Sequence, residues 1–128
     1  MKNKKELGEK RLNEVMGKNS AEQLKSFDEI SPIFAHYVRE HVWGDVYTRD
    51  KLNDKVRLAA VLGALLGQGN TGVPIRRYIR AMLNTGWEKE EILELITFLT
   101  VYAGYPIAVD AIYIAQEVFS ERYAPPKV

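Results

Sequence analysis

The chain has 128 residues, 46% hydrophobic and 27% charged, the balance of one globular domain large enough to bury a core. Eighteen Lys and Arg oppose seventeen Asp and Glu, and a net charge of +1 gives no electrostatic case for a nucleic-acid partner. No cysteine is present, which removes disulfides, Cys-ligated metals and thiolate nucleophiles. The basic start from Lys2 to Arg11 is interrupted by Glu6 and Glu9 and leads into no apolar stretch. Neither a secretory signal nor a membrane span is therefore expected, and the cytoplasm is the expected location.

Gly, Pro and capping residues punctuate the sequence at helix-sized intervals. Ser20 followed by Gln23 has the capping-box spacing and predicts a helix running to Ile30. Ser31-Pro32 restarts it, Ser as N-cap and Pro at the first helical position. Ile33, Phe34, Tyr37, Val38 and His41 then form one stripe predicted to face inward, with Gly44 marking the end. Asn53 or Asp54 caps the next helix, expected to reach Leu66, and Gly67 to Gly72 is the clearest loop. Pro74 opens a helix that Gly86 closes. Ile92 to Ala103 reads as a strongly apolar helix, Gly104 to Pro106 as a break, and Pro106 to Phe119 as the last helix.

No stretch shows sustained period-two alternation, so no strand is predicted. The expectation is an all-α bundle of about six or seven helices in a single domain over 1–128, with 121–128 as a frayed tail. Between Val56 and Leu66 only Arg57 is charged, and between Ile92 and Ala103 only Glu94. Helices apolar nearly all round must be covered on every side, which predicts self-association into a symmetric homo-oligomer; the other reading is that these are the two central helices of the bundle.

Four segments occur in a distinctive order: Trp43-Gly44-Asp45-Val46-Tyr47-Thr48-Arg49 with Leu52; Lys55 and Arg57 opening an apolar helix; Ile79 to Gly86 followed by Glu90 to Glu94; and Val101 to Ala108. Together, over 43–108, they resemble the carboxymuconolactone decarboxylase family, which includes the AhpD-like alkylhydroperoxidases. The resemblance implies an all-α AhpD-like fold assembled as a symmetric ring, a hexamer or trimer of dimers. It also implies one of two chemistries. Peroxidase-type members use a Glu, a Cys-x-x-Cys pair and a His four residues further on. Decarboxylase-type members lack the cysteines and convert a carboxymuconolactone to the oxoadipate enol-lactone. Leu58 aligns with the Glu, Thr71 and Pro74 with the cysteines, and Tyr78 with the His. Thiol peroxidase chemistry is thus closed to this chain, and the decarboxylase branch is left.

Decarboxylation of a conjugated lactone needs no cofactor, because the substrate is its own electron sink. The protein must hold carboxylates with fixed cations, exclude water and deliver a proton. Arg57 is the candidate cation; pairing with Asp45, Asp54 or a carboxylate across a subunit interface is the other reading. Tyr78 lies on the stripe of Ile75, Ile79, Met82 and Leu83, either as a core tyrosine or as a hydroxyl replacing the family His. His41 is the other candidate proton donor, unless it is a structural histidine. Trp43 and Tyr47 are candidate substrate-binding rings, or packing at a helix end. His36 and His41 do not share a helical face, so no metal site is expected. The expected partners are a second copy of the chain and a small carboxylated metabolite. A non-catalytic oligomer that binds a small molecule or a partner is the alternative function.

Overall fold

The computed structural model describes residues 3–121. They form seven α-helices, with a 3₁₀ turn and a π-helical segment, and no strand among the described residues. The tail beyond Glu121, expected to fray, lies outside them. The chain divides into two compact units, one up to Leu52 and one from Asn53 onward.

In the first unit, α1 spans Lys4–Met16, with the Asn3 side chain accepting from the Glu6 N–H at its start. A 3₁₀ turn over Ser20–Gln23 leads into α2, Leu24–Ile30. The predicted Ser20 cap does not form. The side chain of Asn13, on α1, instead accepts from the Ala21 N–H, and the 3₁₀ turn replaces the first helical turn. Ser31 does cap α3, Pro32–His36, accepting from the Phe34 N–H at 3.3 Å. This helix passes without a break into a π-helical segment, Tyr37–Val46, in which the Tyr47 N–H reaches the Val42 carbonyl five residues back.

The helix therefore runs through Gly44 rather than stopping there, and the reason is tertiary. A Cβ built on Gly44 would lie 3.0 Å from the Lys4 carbonyl oxygen, and one on Gly8 only 1.9 Å from that of Arg39. α1 and the π segment thus cross at backbone contact, at Gly8, which no side chain could occupy without moving the helices apart, and at Gly44, where a Cβ would be tightly crowded. The crossing also fixes which face is inward. Ala35, Arg39 and Trp43 are buried, whereas Ile33, Phe34, Tyr37 and His41 are exposed, reversing the predicted orientation of that stripe.

A buried guanidinium lies within this unit. Arg39 donates through Nη1 and Nη2 to both carboxylate oxygens of Asp28 at 2.6 Å, and through Nε to Glu9 at 3.3 Å. The three residues tie the π segment to α2 and α1, and the pairing lets a cation remain buried.

The second unit is a side-chain core. α4 spans Asp54–Gly67, capped by Asn53, which accepts from the Val56 N–H. α5 is Val73–Asn84, α6 is Lys89–Ala103 and α7 is Tyr105–Ser120. Glu88 and Glu91 form a reciprocal capping box that starts α6 three residues before the predicted Ile92. The break before α7 is the single residue Gly104, whose φ of +93° strongly favours glycine. Leu58, Leu62 and Leu66 of α4 meet Ile75, Ile79 and Met82 of α5, Ile92 and Ile96 of α6, and Ala111 and Ala115 of α7, all fully buried or nearly so. Each large aliphatic residue contributes about 1.5–3 kcal/mol by leaving water.

Candidate functional site

The sequence-predicted residues fall in both units. In the first, the Trp43 and Tyr47 rings stack at 3.9 Å between centroids, inclined by 23°. Trp43 is only 5% exposed, and the Tyr47 carbonyl accepts from Arg11 Nε at 2.8 Å. The two rings thus cover one another's faces. His41 is exposed on the π segment, while His36 reaches Glu40 at 2.5 Å.

In the second unit, Arg57 Nη1 contacts Asp54 Oδ1 at 3.1 Å, one helical turn away, with its side chain 13% exposed. This is one of the ion pairs expected for it. Tyr78 lies on α5 between the inward Ile75 and Ile79 and is half-buried. Burial pushes its hydroxyl pKa above the ordinary tyrosine value, and the neighbouring Arg77 cation pulls in the opposite direction. The hydroxyl therefore stays protonated throughout the neutral range and is available as a hydrogen-bond donor.

The α5 arginines separate into two kinds. Arg76 binds Glu117 at 2.5 Å and Arg80 binds both oxygens of Glu121, at 2.9 and 2.5 Å, a ladder of ion pairs between α5 and α7. Arg77 is exposed beside Tyr78. Of the other residues that the resemblance aligns with family positions, Leu58 is completely buried in the core, and Thr71 and Pro74 are exposed around the start of α5.

Two features were not foreseen. Lys55, at the start of α4, reaches Glu91 at 3.4 Å and lies 5.2 Å above the Trp87 ring, whose Nε1 is buried without a hydrogen-bond partner. Lys55 and the Glu90-Glu91 segment were both visible in the sequence, but only the fold shows that they meet beside Trp87. The other is a groove of about 360 Å3 between α6 and α7, lined by Thr97, Thr100, Tyr105, Val109, Ile112 and Tyr113 among others. It follows from Tyr and Val residues facing outward on two consecutive helices, which the apolar run alone does not distinguish from a core.

No α-helix among the described residues is long and apolar enough to cross a membrane. Residues 32–117 match the sequence pattern of the carboxymuconolactone decarboxylase family. The chain is 34% identical over 123 residues to 4-carboxymuconolactone decarboxylase of Acinetobacter baylyi, covering 95% of this chain and 85% of that one. It is 30% identical over 100 residues to an uncharacterized 15.0 kDa protein of Paracoccus denitrificans, covering 77% of this chain and 75% of that one. It is 29% identical over 84 residues to nitrosuccinic acid decarboxylase of Metarhizium robertsii, covering 66% of this chain and 58% of that one. With the family pattern reaching from α3 into α7, and a relative 34% identical along nearly the whole chain, this chain belongs to the carboxymuconolactone decarboxylase family.

Proposed function

We propose that the chain is a cofactor-independent decarboxylase of a small acid that carries a second carboxylate and an electron-withdrawing group. The observation that carries this reading is its likeness, along nearly its whole length, to a protein named for decarboxylating 4-carboxymuconolactone. Nitrosuccinic acid, named in a second relative, adds a chemical constraint. A conjugated lactone and a nitro group both accept the electron pair left when a neighbouring carbon–carboxylate bond breaks. Carbon dioxide leaves, the pair is delocalised into the acceptor, and a proton returns it to carbon. Both molecules keep a further carboxylate by which a cation can hold them.

Arg57 is assigned the carboxylate and Tyr78 the proton or the developing negative charge, with His41 as the alternative proton donor. A hydroxyl with a raised pKa favours hydrogen-bond stabilisation of the acceptor oxygen over outright proton transfer. Trp43 and Tyr47 are proposed as substrate-binding rings only through the edges that their stack leaves open. The protein is proposed to work as a homo-oligomer, supported by the many large apolar residues left exposed on a single chain.

The test is carbon dioxide release from 4-carboxymuconolactone and from nitrosuccinic acid. Turnover of either is expected, with Tyr78→Phe lowering kcat by about a hundredfold. A folded protein that releases none from both overturns the reading. One observation favours a second function: Leu58, which stands at the peroxidase-type Glu position, is fully built into the core, leaving no titratable group there. A non-catalytic oligomer would show these acids raising Tm without any release of carbon dioxide.

A further inference from the structure

Helix α5 carries three arginines, and two of them are already matched. At about 100° per residue Arg76 and Arg80 share one flank of the helix, where Glu117 and Glu121 take them. Tyr78 lies on the other flank, half-buried beside Ile75 and Ile79, and Arg77 is exposed between the two. Arg77 has neither a hydrogen bond nor an ion pair with any described residue, which leaves its fork of donors uncommitted among them. Its charge is nonetheless felt at the Tyr78 hydroxyl, where it opposes the effect of burial.

The neighbouring chain leaves room. Pro74 stands one turn before Tyr78 on the same face, exposed and without an N–H. A Cβ built on Gly67, Gly69 or Gly72, around the loop that leads into α5, would meet nothing within 4 Å. The approach from that loop is therefore free of bulk.

The chemistry asks for a cation here. When the carbon–carboxylate bond breaks, carbon dioxide leaves and the electron pair passes to the acceptor. Negative charge then rests on an acceptor oxygen until a proton from solvent returns to carbon. A cation that meets this charge only where it arrives lowers the barrier, whereas one on the departing carboxylate stabilises the ground state. Arg57, paired with Asp54 and little exposed, is assigned the carboxylate that stays. An arginine fork beside Tyr78 matches the two coplanar oxygens of a nitro group.

We propose that Arg77 and the Tyr78 hydroxyl together form the anion-stabilising end of the site, where the acceptor oxygen of the substrate takes up negative charge. This rests on the decarboxylase reading above and adds to it a cation at the acceptor.

The test uses two stable ligands that differ in charge but hardly in shape: 3-nitropropanoate, with a neutral nitro group, and succinate, with a carboxylate in its place. Succinate mimics the charged acceptor. By calorimetry the wild type should bind succinate at least about tenfold more tightly than 3-nitropropanoate. Arg77→Met should abolish that preference while changing the affinity for 3-nitropropanoate by less than about threefold. Arg77→Lys should recover part of it, keeping the charge without the fork. Arg57→Met should weaken both ligands alike, because both retain the carboxylate assigned to it. With nitrosuccinic acid as substrate, Arg77→Met should lower kcat about tenfold and leave KM within about threefold.

A preference for succinate that survives Arg77→Met overturns the proposal. So does an equal loss of both ligands, which would move Arg77 to the retained carboxylate, or a wild type that binds neither. The same change from Arg76→Met, whose charge Glu117 already matches, would reduce the effect to net charge and overturn the assignment. The reaction fails separately. Succinate bound through Arg77 by a protein that releases no carbon dioxide supports the anion site and overturns the decarboxylase reading alone.

Discussion

The two units close their interiors by different means. In the first, α1 and the π segment meet at backbone distance through Gly8 and Gly44, and a paired guanidinium occupies part of the space that an aliphatic side chain would otherwise fill. In the second, four helices are held apart by Leu, Ile, Met and Ala, and the ion pairs lie on the outside. The difference predicts how each responds to error. A side-chain core can relax partly around a missing or added methyl, whereas two backbones in contact have no rotamer to change.

The sharpest way to break the comparison is Gly8→Ala. The added Cβ would lie 1.9 Å from the Arg39 carbonyl oxygen, so the helices must separate. A loss of about 4 kcal/mol or more is expected, the range reserved for a few named mechanisms of which overpacking is one. Urea unfolding monitored by Trp43 fluorescence and near-ultraviolet dichroism would show it, and a midpoint close to wild type would refute the backbone-contact description. Next comes Leu62→Ala in the second unit, where a fully buried side chain is truncated. About 3 kcal/mol is expected, because the neighbouring side chains collapse only in part into the cavity. A cost below about 1 kcal/mol would mean that the second core is looser than its burial implies.

These two sites also explain what could be read from the sequence. Side-chain cores and their punctuation are local: the Ser31 and Asn53 caps, Gly86 after α5, and the Ile75, Ile79, Met82 stripe all appear where spacing and capping chemistry put them. The first unit is not local. Nothing in the charged segment from Lys2 to Arg11 separates a helix from a solvated tail, since α1 is held largely by its crossing with residues more than thirty positions away. The same crossing turns Ile33, Phe34 and Tyr37 outward, an orientation that apolar periodicity reads the other way because it assumes that carbon seeks the interior. Tyr78 was legible as a residue of a core-facing helix, and Arg57 as a cation in need of a partner. The Asp54 contact required the fold to choose among the carboxylates available.

Arg39→Met sharpens the comparison through pH. It keeps the length of the stem but removes the hydrogen bonds to Asp28 and Glu9, and a loss of about 2 kcal/mol near neutrality is expected. The Arg39 guanidinium holds the Asp28 carboxyl below the usual carboxylate range. A depressed folded pKa contributes stability that is present above the unfolded value, near 4, and is lost as pH falls through the folded one. The Tm gap between wild type and variant should therefore begin to narrow as pH falls below about 4 and close as it passes the lowered Asp28 value. Some acid sensitivity should persist in the variant, because Glu91, bound by the Glu88 N–H, and Glu121, bound by Arg80, are lowered in the second unit as well. A gap in Tm that stays constant from pH 6 to pH 2 would show that the arginine acts through packing alone.

Gly63→Ala is the counterpart of Gly8→Ala and should have the opposite sign. Its added Cβ would meet only the Leu99 Cδ2, at an ordinary contact distance of 3.5 Å, inside α4. Alanine in a helix interior is favoured over glycine, and a gain of up to about 1 kcal/mol in unfolding free energy is expected. A loss comparable to that of Gly8→Ala would erase the distinction between the two units.

The smallest effect on stability is expected at Tyr78. Its hydroxyl is part-desolvated by its surroundings on α5 and has no hydrogen-bond partner among the described residues. Tyr78→Phe should be neutral or stabilising, within about 1 kcal/mol, because it deletes a polar group whose desolvation is not repaid by a bond. The raised pKa makes a second demand. Stability contributed by a hydroxyl that resists ionisation is complete below the unfolded value, near 10, and falls as pH rises through the folded one. The phenylalanine variant should lack that alkaline decline, which Tm measured from pH 8 to pH 11 would reveal. If Tyr78→Phe keeps its stability and loses that decline, the chemical role proposed for the hydroxyl gains support. If the variant instead loses several kcal/mol, the hydroxyl is structural and its chemical role must pass to another residue.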